Sequence, residues 1–186
     1  MKTTYTGLPN ILTLMRIAAI PIVIGLMYLP GPFSDVFAVS LFIAACFTDY
    51  LDGYFARIWQ QTSALGRFLD PIADKLLVAA ILLTLVELER IKGVALIPAL
   101  IILGREILVS GLREFLAELH VPLPVSRLAK WKTALQMVAL SCLLFHPATF
   151  PELFLPTLGL TGLWVAALLT LITGYDYLKA SVKYLE

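Results

Sequence analysis

The sequence predicts an all-α, polytopic membrane protein with six transmembrane helices, and three observations predict it. Hydrophobic residues make up 60% of the 186 and charged residues only 15%, against about 45–50% and about 25% in soluble proteins. A water-soluble domain of this length has too little interior to hide so much apolar surface, and a disordered chain is far more polar. Six apolar runs approach the ~20 residues that a spanning helix needs. The breaks between them carry helix-stopping proline and glycine. Backbone groups must be paired within hydrocarbon, so these runs read as helices; the alternation of barrel strands is absent. A single membrane domain over 1–186 is expected, with no repeat or low-complexity tract.

The first span runs from Ile11 to Leu29 and is closed by Pro30-Gly31-Pro32. The second runs from Val36 to about Ile58, with polar last turns, and the third from Phe68 to Leu88. The fourth is Val94 to Leu112. The fifth, Lys132 to Phe145, is short unless it begins near Leu128. The sixth is Phe154 to Tyr177. The polar start, Met1 to Gly7, does not suit a cleaved signal and is expected to be retained. Cys46 and Cys142 lie in apolar runs with no ligand or disulfide spacing, so inert thiols are expected. His120 and His146 are isolated and receive no role. The net charge of +1 gives no reason to expect a nucleic-acid partner.

With six spans, both termini share one side. That side receives twelve of the fourteen basic residues, and only Arg90 and Lys92 fall on the other. The positive-inside rule then places both termini in the cytoplasm. The expected location is the inner (cytoplasmic) membrane, crossed several times.

The most informative stretch lies at the cytoplasmic ends of the second and third spans. It reads Asp49-Tyr50-Leu51-Asp52-Gly53-Tyr54-Phe55-Ala56-Arg57, then eight residues, then Gly66-Arg67-Phe68-Leu69-Asp70-Pro71-Ile72-Ala73-Asp74. On a helix, Asp49, Asp52, Gly53 and Ala56 share one stripe, and Asp70 and Asp74 share another. If the two helices are antiparallel neighbours, four carboxylates converge. Each acid within a span costs ~2.5–3.5 kcal/mol, less near a helix end, and clustered anions repel. Divalent cations relieve both problems. Oxygen-only ligands with no His or Cys favour Mg²⁺ or Mn²⁺ over zinc, and two ions would balance four carboxylates. The small residues Gly53, Ala56 and Gly66 leave room for a bulky ligand.

This stretch resembles, at every signature position, the CDP-alcohol phosphotransferase family pattern D-x-x-D-G-x-x-A-R, eight residues, G-x-x-x-D-x-x-x-D. The resemblance implies a homodimer, a site open to the cytoplasm, two Mg²⁺ ions with Mn²⁺ as a possible substitute, and release of CMP from a CDP-linked donor. It makes Asp49, Asp52, Asp70 and Asp74 metal ligands and Asp74 also the general base. Upstream, Asn10, Thr13, Arg16 and Pro21 resemble the family's N-x-x-T-x-x-R-x-x-x-x-P stretch. The same residues also read as a capped first helix with a positive-inside arginine. The expected donor, CDP-diacylglycerol, would be held by Asn10, Thr13, Arg16, Asp52, Gly53, Ala56, Arg57 and Gly66.

Acceptor choice must come from elsewhere. Arg105 lies inside an apolar run, where an unpaired cation is costly; Glu106 or the acidic cluster can pair with it. Arg113 is eight residues on and returns near the same face. Arg113, Arg127, Lys130 and Lys132 read either as interface anchors or as phosphate ligands. The runs R-E-x-x-x-S-G-L-R and K-x-K-T resemble those family members that use sn-glycerol 3-phosphate. That resemblance makes Arg105, Arg113, Lys130 and Lys132 the acceptor-phosphate residues, and the last span adds little to it. The expected reaction moves a phosphatidyl group from CDP-diacylglycerol, a membrane lipid, to sn-glycerol 3-phosphate. Within the family, a cardiolipin synthase or another CDP-alcohol phosphotransferase is the alternative; outside it, a divalent-cation transporter that uses the acids as an ion pathway.

Overall fold

The computed structural model describes residues 8–59, 64–119, 121, 127–149 and 154–182; the side chains at 8, 9, 49–59, 64, 65, 67, 127, 180 and 182 fall outside that description. Among the described residues there are six α-helices and no strand: α1 Leu8–Met27, α2 Pro32–Trp59, α3 Ala64–Glu87, α4 Leu96–Glu118, α5 Arg127–Leu144 and α6 Leu155–Val182, with one 3-10 turn at Gly93–Ala95. Three are long and apolar enough to cross a membrane, over Asn10–Met27, Gly93–Glu118 and Leu155–Lys179. In α2 the acidic motif follows directly on the apolar run Val36–Phe47 and Thr48. α3 and α5 place charged residues early, Arg67 and Asp70 in α3 and Arg127, Lys130 and Lys132 in α5. The six-helix expectation is met, while among the described residues three helices meet the length and apolarity of a span. Large apolar side chains face outward, among them Met15, Phe33, Phe47, Leu83, Leu100 and Trp131. That surface suits lipid rather than water, and the chain is a membrane protein.

The chain divides into two compact units, Met1–Thr84 with Leu144–Leu153, and Leu85–Leu143 with Phe154–Glu186. In the first, α1 packs on α2. The buried side chains recur at helical spacing: Ala19, Ile20, Val23 and Met27 on α1, and Ala38, Phe42 and Ala45 on α2. The turn between them has a defined chemistry. Gly31 adopts φ +133°, and Pro32 opens α2, where its missing N–H costs nothing. The Ser34 hydroxyl lies 2.7 Å from the carbonyl oxygens of both Leu29 and Gly31. Asp35 sits in the first turn of α2, favourable to the helix dipole, and is buried. Its Oδ2 accepts from the His146 backbone N–H at 3.1 Å and from the Thr149 hydroxyl. So the turn after α5 is fastened to the start of α2, a role for this stretch that the sequence does not disclose. His120 lies outside the described residues.

In the second unit, α4 packs on α6. The buried positions of α6, Gly159, Leu163, Ala166, Thr170, Thr173, Tyr177 and Ser181, step by three or four. Small residues permit close helix approach in a bilayer, and Gly159 shows it: a Cβ there would stand 2.6 Å from Leu143 Cγ and 3.1 Å from the Ala139 carbonyl oxygen. Gly159→Leu is therefore expected to lower the thermal unfolding midpoint in detergent by about 3–10 °C, the overpacking cost of a close interface. Gly25→Ala, with open space around it, should leave the midpoint unchanged or raised. Equal midpoints for Gly159→Leu and wild type would show that α5 and α6 do not need this contact.

Candidate active site

The first unit carries the donor-side residues. On α1, Asn10, Thr13 and Arg16 are buried, while Ile11, Leu14 and Met15 between them are exposed. A helix in lipid turns its polar side toward protein, because an ionisable group facing hydrocarbon is costly. The Thr13 hydroxyl donates to Asp70 Oδ1 at 2.5 Å across 57 positions of sequence. The upstream N-x-x-T-x-x-R stretch and the second acidic pair are thus brought together. Asp70 and Asp74 stand one turn apart on α3, both half-buried, and Gly66 is buried one turn before Asp70. Asn10, Arg16 and Asp74 are also engaged by other groups. Lys75 Nζ donates to the Pro71 carbonyl at 2.8 Å.

α2 remains helical to Trp59, so its backbone carries Asp49, Asp52, Gly53 and Ala56 on one stripe, as expected. The side chains of Asp49, Asp52, Gly53, Ala56 and Arg57 lie outside the described residues. Among the described residues no cluster of three or more His, Cys, Asp or Glu side chains forms a metal site. The donor chemistry at Asp70 and Asp74 nevertheless fits a hard divalent cation. Both offer only oxygen, and Thr13 occupies one lone-pair direction of Asp70, leaving the other oxygen available.

The second unit carries Arg105, Arg113, Lys130 and Lys132. Lys132 is buried and its Nζ donates to Glu106 Oε1, so it is a core cation rather than an interface anchor. Its ammonium is committed to that carboxylate because a buried charge needs a partner. Glu106 also lies 3.7 Å from Arg105 Nη1, and Arg105 Nη2 donates to Thr173 Oγ1 at 3.1 Å. Arg113 Nη2 donates to the Tyr177 hydroxyl at 3.0 Å. Arg105, Arg113 and Lys132 thus belong to one network tied through Glu106 and α6. Lys130 is exposed and no contact joins it to that network. The sequence leaves the last span without a specific part, yet Thr173 and Tyr177 of α6 hold both arginines. The available signal is the spacing Thr170, Thr173, Gly174, Tyr177, polar and small residues on one face of an otherwise apolar helix.

Residues 6–172 match the family model for CDP-alcohol phosphatidyltransferases. The chain belongs to this family. Similarity to individual CDP-alcohol phosphatidyltransferases extends over nearly the full length. A protein of Rickettsia bellii named CDP-diacylglycerol–glycerol-3-phosphate 3-phosphatidyltransferase is 49% identical over 178 residues, covering 96% of this chain and 97% of its own. Proteins of the same name from Pseudomonas fluorescens and Cereibacter sphaeroides are 45% identical over 183 residues and 37% over 215 residues. These alignments cover 97% of this chain in both cases, and 92% and 97% of the relatives. In this CDP-alcohol phosphatidyltransferase, the Thr13–Asp70 hydrogen bond joins two of the residues that the motifs single out.

Proposed function

We propose that this protein transfers the phosphatidyl group of CDP-diacylglycerol to sn-glycerol 3-phosphate, giving phosphatidylglycerophosphate and CMP. The full-length similarity to the Rickettsia bellii protein of that name carries the reading, and the Thr13–Asp70 hydrogen bond supports it. Family membership removes the ground for the cation-transport alternative. In this reading the six helices all span the inner membrane, with both termini and the active site cytoplasmic, and the protein works as a homodimer. The distribution of basic residues supports the orientation.

Asp49, Asp52, Asp70 and Asp74 would hold two Mg²⁺ ions, or Mn²⁺ in their place, which when bound polarise the pyrophosphate oxygens and stabilise departing CMP. Asn10, Thr13, Arg16, Gly53, Ala56, Arg57 and Gly66 bind the donor, with Thr13 orienting Asp70. Arg105 and Arg113 hold the acceptor's phosphate, and Lys132 supports Arg105 through Glu106. Asp74 takes the proton of the acceptor's primary hydroxyl. The freed oxygen forms its bond to the phosphorus bearing diacylglycerol, the P–O bond to CMP breaks, and CMP leaves with the electron pair. No covalent enzyme intermediate is required.

Purified protein with labelled CDP-diacylglycerol, Mg²⁺ and a panel of alcohols tests this. CMP release is expected with sn-glycerol 3-phosphate and not with inositol phosphate, serine or choline. Turnover with phosphatidylglycerol alone would identify a cardiolipin synthase instead. Excess EDTA should abolish release and added Mg²⁺ restore it. Full activity in the chelator would overturn the role given to the aspartates.

A further inference from the structure

Three residues of α6, Thr173, Gly174 and Tyr177, lie on one face and are buried. Each meets an arginine of α4. Arg105 donates to Thr173, and Arg113 to the Tyr177 hydroxyl. The Tyr177 ring is shared by both cations: its centroid lies 5.6 Å from Arg105 Cζ and 5.1 Å from Arg113 Cζ, within the ~6 Å range of a cation–π contact. Gly174 leaves the space that Arg105 uses, since a Cβ there would stand 3.1 Å from Arg105 Cγ and 3.6 Å from its Nε.

Two guanidinium groups beside one ring repel each other, and the negative ring face offsets only part of that. The local charge is not balanced. Glu106 is the carboxylate of this network, and its Oε1 is shared by Lys132 and Arg105. Among the described residues Arg113 has no carboxylate within salt-bridge distance. Arg105 Nε is a buried donor with no acceptor among them. A buried N–H of a charged group left without an acceptor is strongly unfavourable. Two excess positive charges and an open donor match the charge and oxygen content of a phosphate monoester.

We infer that Tyr177 is a positioning residue for acceptor recognition: one side chain of the last helix holds Arg105 and Arg113 together against their repulsion, so that both remain available to a single phosphate. Thr173 and Gly174 seat Arg105 beside it. The inference rests on the acceptor reading given above. Tyr177 itself acts through the arginines and not on the substrate.

Steady-state kinetics on the full protein in Mg²⁺ decides it. Tyr177→Phe keeps the ring and removes the hydroxyl that Arg113 uses; KM for sn-glycerol 3-phosphate should rise about 3–10-fold, the net size of one ordinary hydrogen bond. Tyr177→Leu removes ring and hydroxyl and should raise it about 30-fold or more. In both, kcat and the KM for CDP-diacylglycerol should stay within about twofold. Inorganic phosphate, as a competitor of the acceptor, should inhibit Tyr177→Leu more weakly than wild type. Gly174→Ala displaces Arg105 with Tyr177 intact and should give the same KM-only signature, which keeps the inference testable if Tyr177→Leu fails to fold. An unchanged acceptor KM in Tyr177→Phe and Gly174→Ala overturns it, as does a parallel rise for both substrates, the mark of general misfolding. If wild-type protein releases no CMP with sn-glycerol 3-phosphate, the acceptor reading fails and takes this inference with it. If wild type is active and the variants keep its acceptor KM, only the inference fails.

Discussion

Asp74→Asn is expected to lower CMP release at least about 100-fold, the usual contribution of a positioned general base, while the protein remains inserted and monodisperse. The substitution preserves size and hydrogen-bonding shape but removes the charge that accepts a proton. Asp70, one turn away, keeps its hydrogen bond from Thr13, so the neighbouring carboxylate should hold its orientation. Single-turnover assays with saturating donor and acceptor separate chemistry from binding. A rate within tenfold of wild type would remove Asp74 from the role of base.

Glu106→Gln is expected to be the most destabilising substitution in the second unit. Lys132 is almost fully buried and its ammonium rests on Glu106. Removing one partner of a buried pair costs about 3–5 kcal/mol because the other charge is stranded. The two halves of the pair are not equivalent. Lys132→Met leaves Glu106 with Arg105, 3.7 Å away, whereas Glu106→Gln takes the carboxylate from Lys132 and Arg105 alike. Thermal unfolding in detergent should place Glu106→Gln lowest, with a midpoint drop of the order of 10 °C, Lys132→Met above it, and the double variant above Glu106→Gln alone. If Lys132→Met is as damaging as Glu106→Gln, Arg105 does not share the carboxylate.

Much of the fold was legible because bilayer spans announce themselves by length and by their breaks. Pro30-Gly31-Pro32 marks the turn that ends α1 at Met27 and starts α2 at Pro32. The expected starts of the third and fifth spans, Phe68 and Lys132, fall four and five residues inside helices that begin at Ala64 and Arg127. A few early charges lower the local hydropathy without ending the helix, and Lys132 is buried in the second turn of α5. On the donor side, the family pattern singled out Thr13 and Asp70, and their contact joins them. α6 stayed opaque for a physical reason. Thr173, Gly174 and Tyr177 are neutral, and their significance lies in which arginines a different helix brings to them. Asp35 is similar: an acid in a first helical turn reads as a dipole partner, and nothing nearby in sequence points to His146 and Thr149, more than a hundred positions away.

The length of α2 has a consequence for where the chemistry happens. Its 28 residues amount to about 42 Å of helix, against a hydrocarbon thickness of about 30 Å. Measured from Pro32, Asp49 comes about 25 Å along that axis, two residues past the apolar run Val36–Phe47. With α2 spanning as proposed, the helix is a ruler with its zero at the Pro-Gly-Pro turn, and it would set the first aspartate at the opposite rim of the oily layer. In the proposed orientation a nucleotide-linked lipid therefore reacts where its pyrophosphate already floats. Its tails stay in place, and only the cytidine end has to reach beyond the headgroups.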